Sequence, residues 1–212
     1  LKRCRQQLPD YLPALTLLGK IQTEYDRYSL AVDTFQQALE QGADAELFAR
    51  EWSRSLIAAR QFESLISFTG FKAFTPAMRA DWLKQRAVAC RETNNDNCAR
   101  ESYAALKLLG EELEAALGFA ELAIENKGWQ DAEKQLRLAA SAARDDIRVP
   151  IARGRLMLYQ QRYDEALAFV DKASQLAPQD PLVLRTLVDV YLAANQRADA
   201  ANTLDLILSL TP

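Results

Sequence analysis

Along the 212 residues, Leu, Ala, Val and Tyr recur at three- and four-residue intervals, and Lys, Arg, Asp, Glu or Gln returns every few positions between them. That spacing lines the apolar side chains along one stripe of an α-helix and turns the charged ones away, so the pattern predicts amphipathic helices packed through their stripes. Only 7 Gly and 7 Pro punctuate the chain. Glycine thus stands at about half its usual share of roughly 7%, which favours long helices over sheets. No run approaches the roughly 18 consecutive apolar residues that a membrane span requires.

A fixed period overlies the helical one. Ala166 and Ala200 stand 34 residues apart, and so do Pro178 and Pro212. The same frame carried backward meets Ala132, Ala99 and Ala31, with Leu65 in the remaining place. A repeat of this length is one supersecondary unit that cannot bury its apolar face alone and stacks on its neighbours.

The residues at the fixed places resemble the tetratricopeptide repeat: Leu15, Leu18-Gly19, Ala31, Phe35 and Ala38 in the first full unit; Gly154, Ala166, Ala173 and Pro178 in the fifth; Leu184, Leu187, Tyr191, Ala200, Leu204 and Pro212 in the sixth. The third (Ala87, Ala99, Tyr103) and fourth (Phe119-Ala120, Ala132, Leu136, Ala139) lack the closing proline. The second keeps Trp52 and Leu56 but has Leu65 and Thr69 where a small and an aromatic residue belong, which predicts a short or bent second helix. The resemblance implies an all-α fold, an α-solenoid or right-handed superhelix of about six helix-turn-helix units. The predicted division is 12–45, 46–79 (degenerate), 80–112, 113–146, 147–180 and 181–212, with 1–11 the last helix of a truncated preceding repeat closing at Pro9. Both ends are expected to be cut ends, and their apolar faces are expected to allow a homodimer.

Small residues at the recurring places have a packing reason. In each unit the Gly or Ala of the first helix is expected opposite the Ala of the second, where a larger side chain costs about 1–3 kcal/mol of overpacking. Pro13, Pro150 and Pro181 are expected in or near first turns, where a missing N–H is harmless, and Asp180-Pro181 reads as an N-cap followed by the first helical residue.

Candidate chemistry narrows next. There is no histidine, and the formal charge is −3 with pI near 5.2. The commonest general base, the usual nucleophile pairings and most zinc sites therefore have no residue to use. A nucleic-acid role is not expected, because the basic residues lack interleaved aromatics on the same face. Glu121, Glu125 and Asp189 are groove carboxylates without a nucleophile or metal set, so no catalytic residue, metal or cofactor is expected.

The resemblance implies a concave groove, lined by first helices, that grips a peptide or protein. The places expected to line it hold Thr16 and Lys20; Leu47, Arg50 and Arg54; Asp81, Lys84, Val88 and Arg91; Glu114, Leu117, Glu121 and Glu125; then Arg148, Ile151, Arg155, Leu158, Leu182, Arg185 and Asp189. Thr16 and Lys20 do not match the carboxylate clamp of chaperone-tail binders. Arg50, Arg54, Lys84 and Arg91, with Arg148, Arg155 and Arg185 as a second patch, are the candidate partner-binding residues, suited to an acidic surface or segment because Arg pairs carboxylates bidentately. The competing reading is a solvated helix face of alternating charge.

Cys90 and Cys98 flank the polar stretch Arg91-Glu92-Thr93-Asn94-Asn95-Asp96-Asn97. Across a helical hairpin their sulfurs would face each other, allowing a disulfide and pointing to an oxidising compartment such as the periplasm. The other reading is two small buried thiols. Cys4 is expected to pack in the truncated helix. Irregular repeats of this kind resemble those of bacterial envelope proteins that organise exopolysaccharide synthesis and export. The resemblance implies a non-enzymatic periplasmic scaffold, against the alternative of a cytosolic adaptor or regulator that binds a peptide.

Overall fold

The computed structural model describes residues 12–210. The expectations for 1–11, with Cys4 and Pro9, and for Pro212 fall outside them. No strand occurs among the described residues, and the helices divide between two compact units at Glu111 and Glu112.

Unit 1 holds α1 (Leu12–Glu24), α2 (Tyr28–Glu40), α3 (Ala49–Ala58), α4 (Phe62–Ser67), α5 (Pro76–Glu92) and α6 (Asp96–Leu108). Two short 3-10 segments, Ala45–Phe48 and Gly70–Ala73, precede α3 and α5. Unit 2 holds α7 (Glu112–Glu125), α8 (Trp129–Ala142), α9 (Arg148–Tyr159), α10 (Tyr163–Leu176), α11 (Pro181–Ala193) and α12 (Arg197–Leu210). Odd and even helices pair as hairpins, and within a unit each first helix also packs on the next first helix. This is the helical-repeat architecture expected of the 34-residue period.

Burial follows the same frame. Gly19, Ser53, Ala87, Ala120, Gly154 and Val188 recur on the first helices and are all buried. Ala31, Leu65, Ala99, Ala132, Ala166 and Ala200 on the second helices are 0–1% exposed. At Gly154 the approach is measurable, because a Cβ there would lie 2.6 Å from Val170 Cγ2 and 3.3 Å from the Ala166 carbonyl oxygen. Glycine is required at that position by space, not by backbone dihedrals.

Each hairpin turns through a residue in the left-handed region. Asp26, Arg60, Asn94, Lys127, Gln161 and Asn195 have φ between 53° and 60°. At each turn the left-handed residue donates its N–H to the carbonyl three residues back, and the following residue donates to the one five back; Gln161 to Leu158 (2.9 Å) and Arg162 to Met157 (2.9 Å) are one instance. That is the Schellman closure of a helix C-terminus, which glycine usually supplies. None of the six is glycine; Asp26, Asn94 and Asn195 are of the types that tolerate this region, while Arg60, Lys127 and Gln161 carry no such marker.

The second hairpin departs from the pattern as its sequence predicts. Helix α4 stops after 6 residues, and the chain then feeds Phe68, Phe71 and Phe74 inward. Trp52 meets Phe68 at 4.9 Å and Trp82 at 5.2 Å between ring centroids, while Phe74 meets Trp82 edge-on at 5.9 Å. This aromatic packing fills the volume that a longer second helix would occupy. Arg79 Nη2 donates to the Lys72 and Phe74 carbonyls, and half-buried Arg86 donates to Ile66 O, Cys98 O and Ser102 Oγ. Ile66 O lies in the last turn of the shortened helix, and Lys72 O and Phe74 O in the irregular segment after it, so the two arginines supply donors to carbonyls that a longer helix would pair internally. Pro76 sits at the start of α5, which begins ahead of residue 80.

At Asp180 the predicted cap is present. Its carboxylate accepts from Leu182 N (2.8 Å) and Val183 N (3.4 Å), and Pro181 opens α11. Cys90 near the end of α5 and Cys98 in the first turn of α6 are joined in a disulfide, with Cα atoms 5.6 Å apart. Asn95 caps α6 by accepting from Cys98 N at 3.1 Å.

Candidate partner-binding surface

In unit 1, helical spacing puts Arg50 and Arg54 one turn apart on α3, and Asp81, Lys84 and Gln85 on the neighbouring first helix α5. Together with Ile57 they line an open cavity of about 500 Å³. The structure therefore brings together Arg50, Arg54 and Lys84 from the predicted set. Arg91 does not line this cavity; it lies on the last turn of α5 beside the disulfide.

Charges on this face are largely answered from within. Arg50 Nη2 donates to Asp81 Oδ2 at 2.7 Å, and that hydrogen bond, with the carboxylate's charge, raises the already high guanidinium pKa. Lys84 Nζ is 2.9 Å from Glu111 Oε2. Arg54 is exposed and has no ion pair among the described residues, which makes it the free cation of the cavity.

Unit 2 shows a second arrangement. Arg148 holds Asp146 in a two-pronged pair, Nε to Oδ1 at 2.9 Å and Nη2 to Oδ2 at 2.8 Å, and reaches Glu114 Oε1 with Nη1 at 2.8 Å. The Arg148 hydrogen bond is the main cause holding the Asp146 carboxyl below its ordinary range, and the guanidinium is raised in turn. Arg155 Nη1 meets Glu121 Oε1 at 3.0 Å. Glu114 with Arg148, and Glu121 with Arg155, are each separated by 34 residues. The acidic character of the fourth repeat and the basic return of the fifth are thus two rails of one charge ladder. The signal was present as opposite charges one repeat apart, but reading each helix alone hides it.

Two predicted groove residues do not face outward. Leu117 (9% exposed) and Ile151 (3%) belong to the apolar core of unit 2. Arg185 is exposed and has no ion pair among the described residues. Among the described residues no group of three or more Cys, Asp or Glu is arranged to hold a metal ion, and no helix is long and apolar enough to cross a membrane.

Comparison with known proteins agrees with this architecture. Residues 157–212 match the family model of the tetratricopeptide repeat. A tetratricopeptide repeat protein from Parabacteroides merdae superposes with a TM-score of 0.69 at 17% identity, over 93% of this chain and 79% of that one. YrrB, described as a TPR protein with an unusual peptide-binding site, superposes with a TM-score of 0.55 at 14% identity, over 87% of this chain and 95% of YrrB. At these identities the likeness is one of fold. No protein of curated function matches the chain.

Proposed function

We propose that the chain is a non-enzymatic interaction scaffold that holds a segment of a protein partner on its first-helix face. The observation that carries this reading is the α3–α5 cavity. Three cations line it against one carboxylate, with Ile57 and Ala58 as apolar floor. An extended acidic segment with an intervening apolar residue matches that surface: Arg54 is free to pair, and Arg50 can exchange Asp81 for a partner carboxylate. The reading also follows the tetratricopeptide fold, one example of which is described by its peptide-binding site. The Cys90–Cys98 disulfide supports placement in an oxidising compartment, the periplasm. An envelope protein serving exopolysaccharide synthesis or export is the setting proposed from the resemblance of its irregular repeats. Leu204, Leu206 and Leu210 on α12 are exposed, which supports self-association there.

The test uses photo-crosslinkers. A crosslinking residue in place of Gln85 captures a partner from envelope fractions, while one in place of exposed Gln36 on α2 does not. Capture falls with added salt and with Arg50→Glu/Arg54→Glu, as screened charge pairs require. Equal capture from both positions, or capture insensitive to the double charge reversal, refutes the assignment.

A further inference from the structure

Unit 2 carries a larger cavity, about 760 Å³, lined by the end of α8, the start of α9 and the second half of α10. On α9 it takes Arg153, which stands two residues from Arg155 and so projects about 200° around the helix from the charge ladder. The cavity is therefore on the second-helix side and shares no residue with the first-helix face. Its volume is in the range of sites that enclose a small ligand or a short stretch of peptide.

The lining has an unusual balance. Arg144, Arg153 and Lys172 line it together with Phe169, the Arg153 guanidinium carbon 5.8 Å and Lys172 Nζ 5.2 Å from the ring centroid. Pro150 and Leu176 supply apolar wall, and no carboxylate lines the cavity. Arg50, Lys84, Arg148 and Arg155 on the first helices each hold a carboxylate within 3.0 Å. The cations round Phe169 have no such ion pair among the described residues, and Arg153 Nε is buried without a hydrogen-bond partner. Three cations on one open cavity with no carboxylate in its lining, and the buried Arg153 Nε left without an acceptor, make a surface complementary to an anionic group.

We propose that this cavity is a second docking site, for an acidic segment of a protein partner. Carboxylates of the segment pair with Arg144, Arg153 and Lys172, and an apolar side chain between them packs against Pro150 and Leu176. The apolar wall favours a peptide over a simple anion. A single aromatic ring already flanked by two cations offers no stack for nucleic-acid bases. The inference rests on the scaffold reading above but not on its surface: the first-helix face can fail its crosslinking test while this site stands.

The experiment titrates the isotope-labelled chain with a fluorescein-labelled peptide in which glutamates flank a Leu-Phe pair, read by anisotropy and by amide chemical shifts. Shifts at residues 140–153 and 169–176 are expected, and they persist in Arg50→Glu/Arg54→Glu. Arg153→Gln/Lys172→Gln weakens this binding roughly tenfold or more. Because Arg153 is partly buried, the exposed pair Arg144→Gln/Lys172→Gln serves as a second variant that keeps Arg153 in place. Absence of shifts in those two segments overturns the proposal. So does a glutamate-only peptide, inorganic phosphate or a single-stranded oligonucleotide that binds the cavity as tightly as the mixed peptide, because the occupant would then be a generic anion or a nucleic acid.

Discussion

The substitution Gly154→Ala isolates the packing rule behind the repeat. In an exposed helix interior the change stabilises by about 1 kcal/mol, because alanine orders at lower entropic cost. At this position the new Cβ meets Val170 Cγ2 at 2.6 Å and the Ala166 carbonyl oxygen at 3.3 Å, and Val170 is 0% exposed. One neighbour is backbone and the other a buried, β-branched side chain with few rotamers, so neither yields without moving α10. Overpacking of this kind costs roughly 2–3 kcal/mol, and the net expectation is a loss of about 1–2 kcal/mol. For a chain of this size that lowers Tm by roughly 2–8 °C. Thermal and urea unfolding measure the total, and amide exchange in α9 and α10 locates it. Val170→Ala alone costs about 2 kcal/mol by leaving a cavity. Combined with Gly154→Ala it gives a favourable coupling of roughly 1 kcal/mol or more, since each change relieves the other. A rise in Tm for Gly154→Ala, or strict additivity in the double mutant, would refute the close-approach argument.

Further expectations follow from single features. Gln161→Gly removes a left-handed side-chain residue at φ 60° and raises stability by about 1 kcal/mol, whereas Gln160→Gly, where φ is −86°, lowers it; the same sign for both in thermal melts would contradict the turn assignment. Cys90 and Cys98 resist alkylation until reduced, as intact-mass measurement with peptide mapping will show, and reduction lowers stability by about 2.5 kcal/mol for the short loop they close. Free thiols in protein recovered from cells under alkylation would instead favour the cytosolic adaptor. Asp146 has its pKa held down by Arg148, so its contribution is complete above the unfolded value of about 4 and is lost as pH falls through the lower folded value. Asp146→Asn therefore lowers Tm at neutral pH, with a difference that closes in strong acid; a gap that is constant with pH would exclude the ion pair as its cause.

Much of the architecture was legible because it depends on residues that repeat. The alanines at 31, 99, 132, 166 and 200 marked the second helices, and Leu65 with Thr69 marked the hairpin that breaks early. The six hairpin turns were not legible in the same way. Their left-handed residues are Asp, Arg, Asn, Lys, Gln and Asn, so residue type points to at most three of them and the period alone to the other three. Of the candidate site, Arg50, Arg54 and Lys84 came together, but their state did not follow from their positions. Asp81 and Glu111 neutralise two of them, and the ladder of Glu114 with Arg148 and Glu121 with Arg155 emerges only when successive helices lie side by side. Arg153 lies on the first helix α9 but turned away from the charge ladder, and Lys172 and Phe169 lie on the second helix α10, where a solvated surface is the ordinary expectation.

By itself the sequence determined that the fold is helical, that it repeats every 34 residues and which recurring places are small, because these depend on side-chain volume and period along a single chain. Only the tertiary structure decided which charges remain free to bind a partner. Pairing depends on distances between residues far apart in sequence, and an ion pair of 2.7–3.0 Å turns an apparent binding cation into one already occupied, while Arg144, Arg153 and Lys172 line a cavity with no carboxylate in its wall.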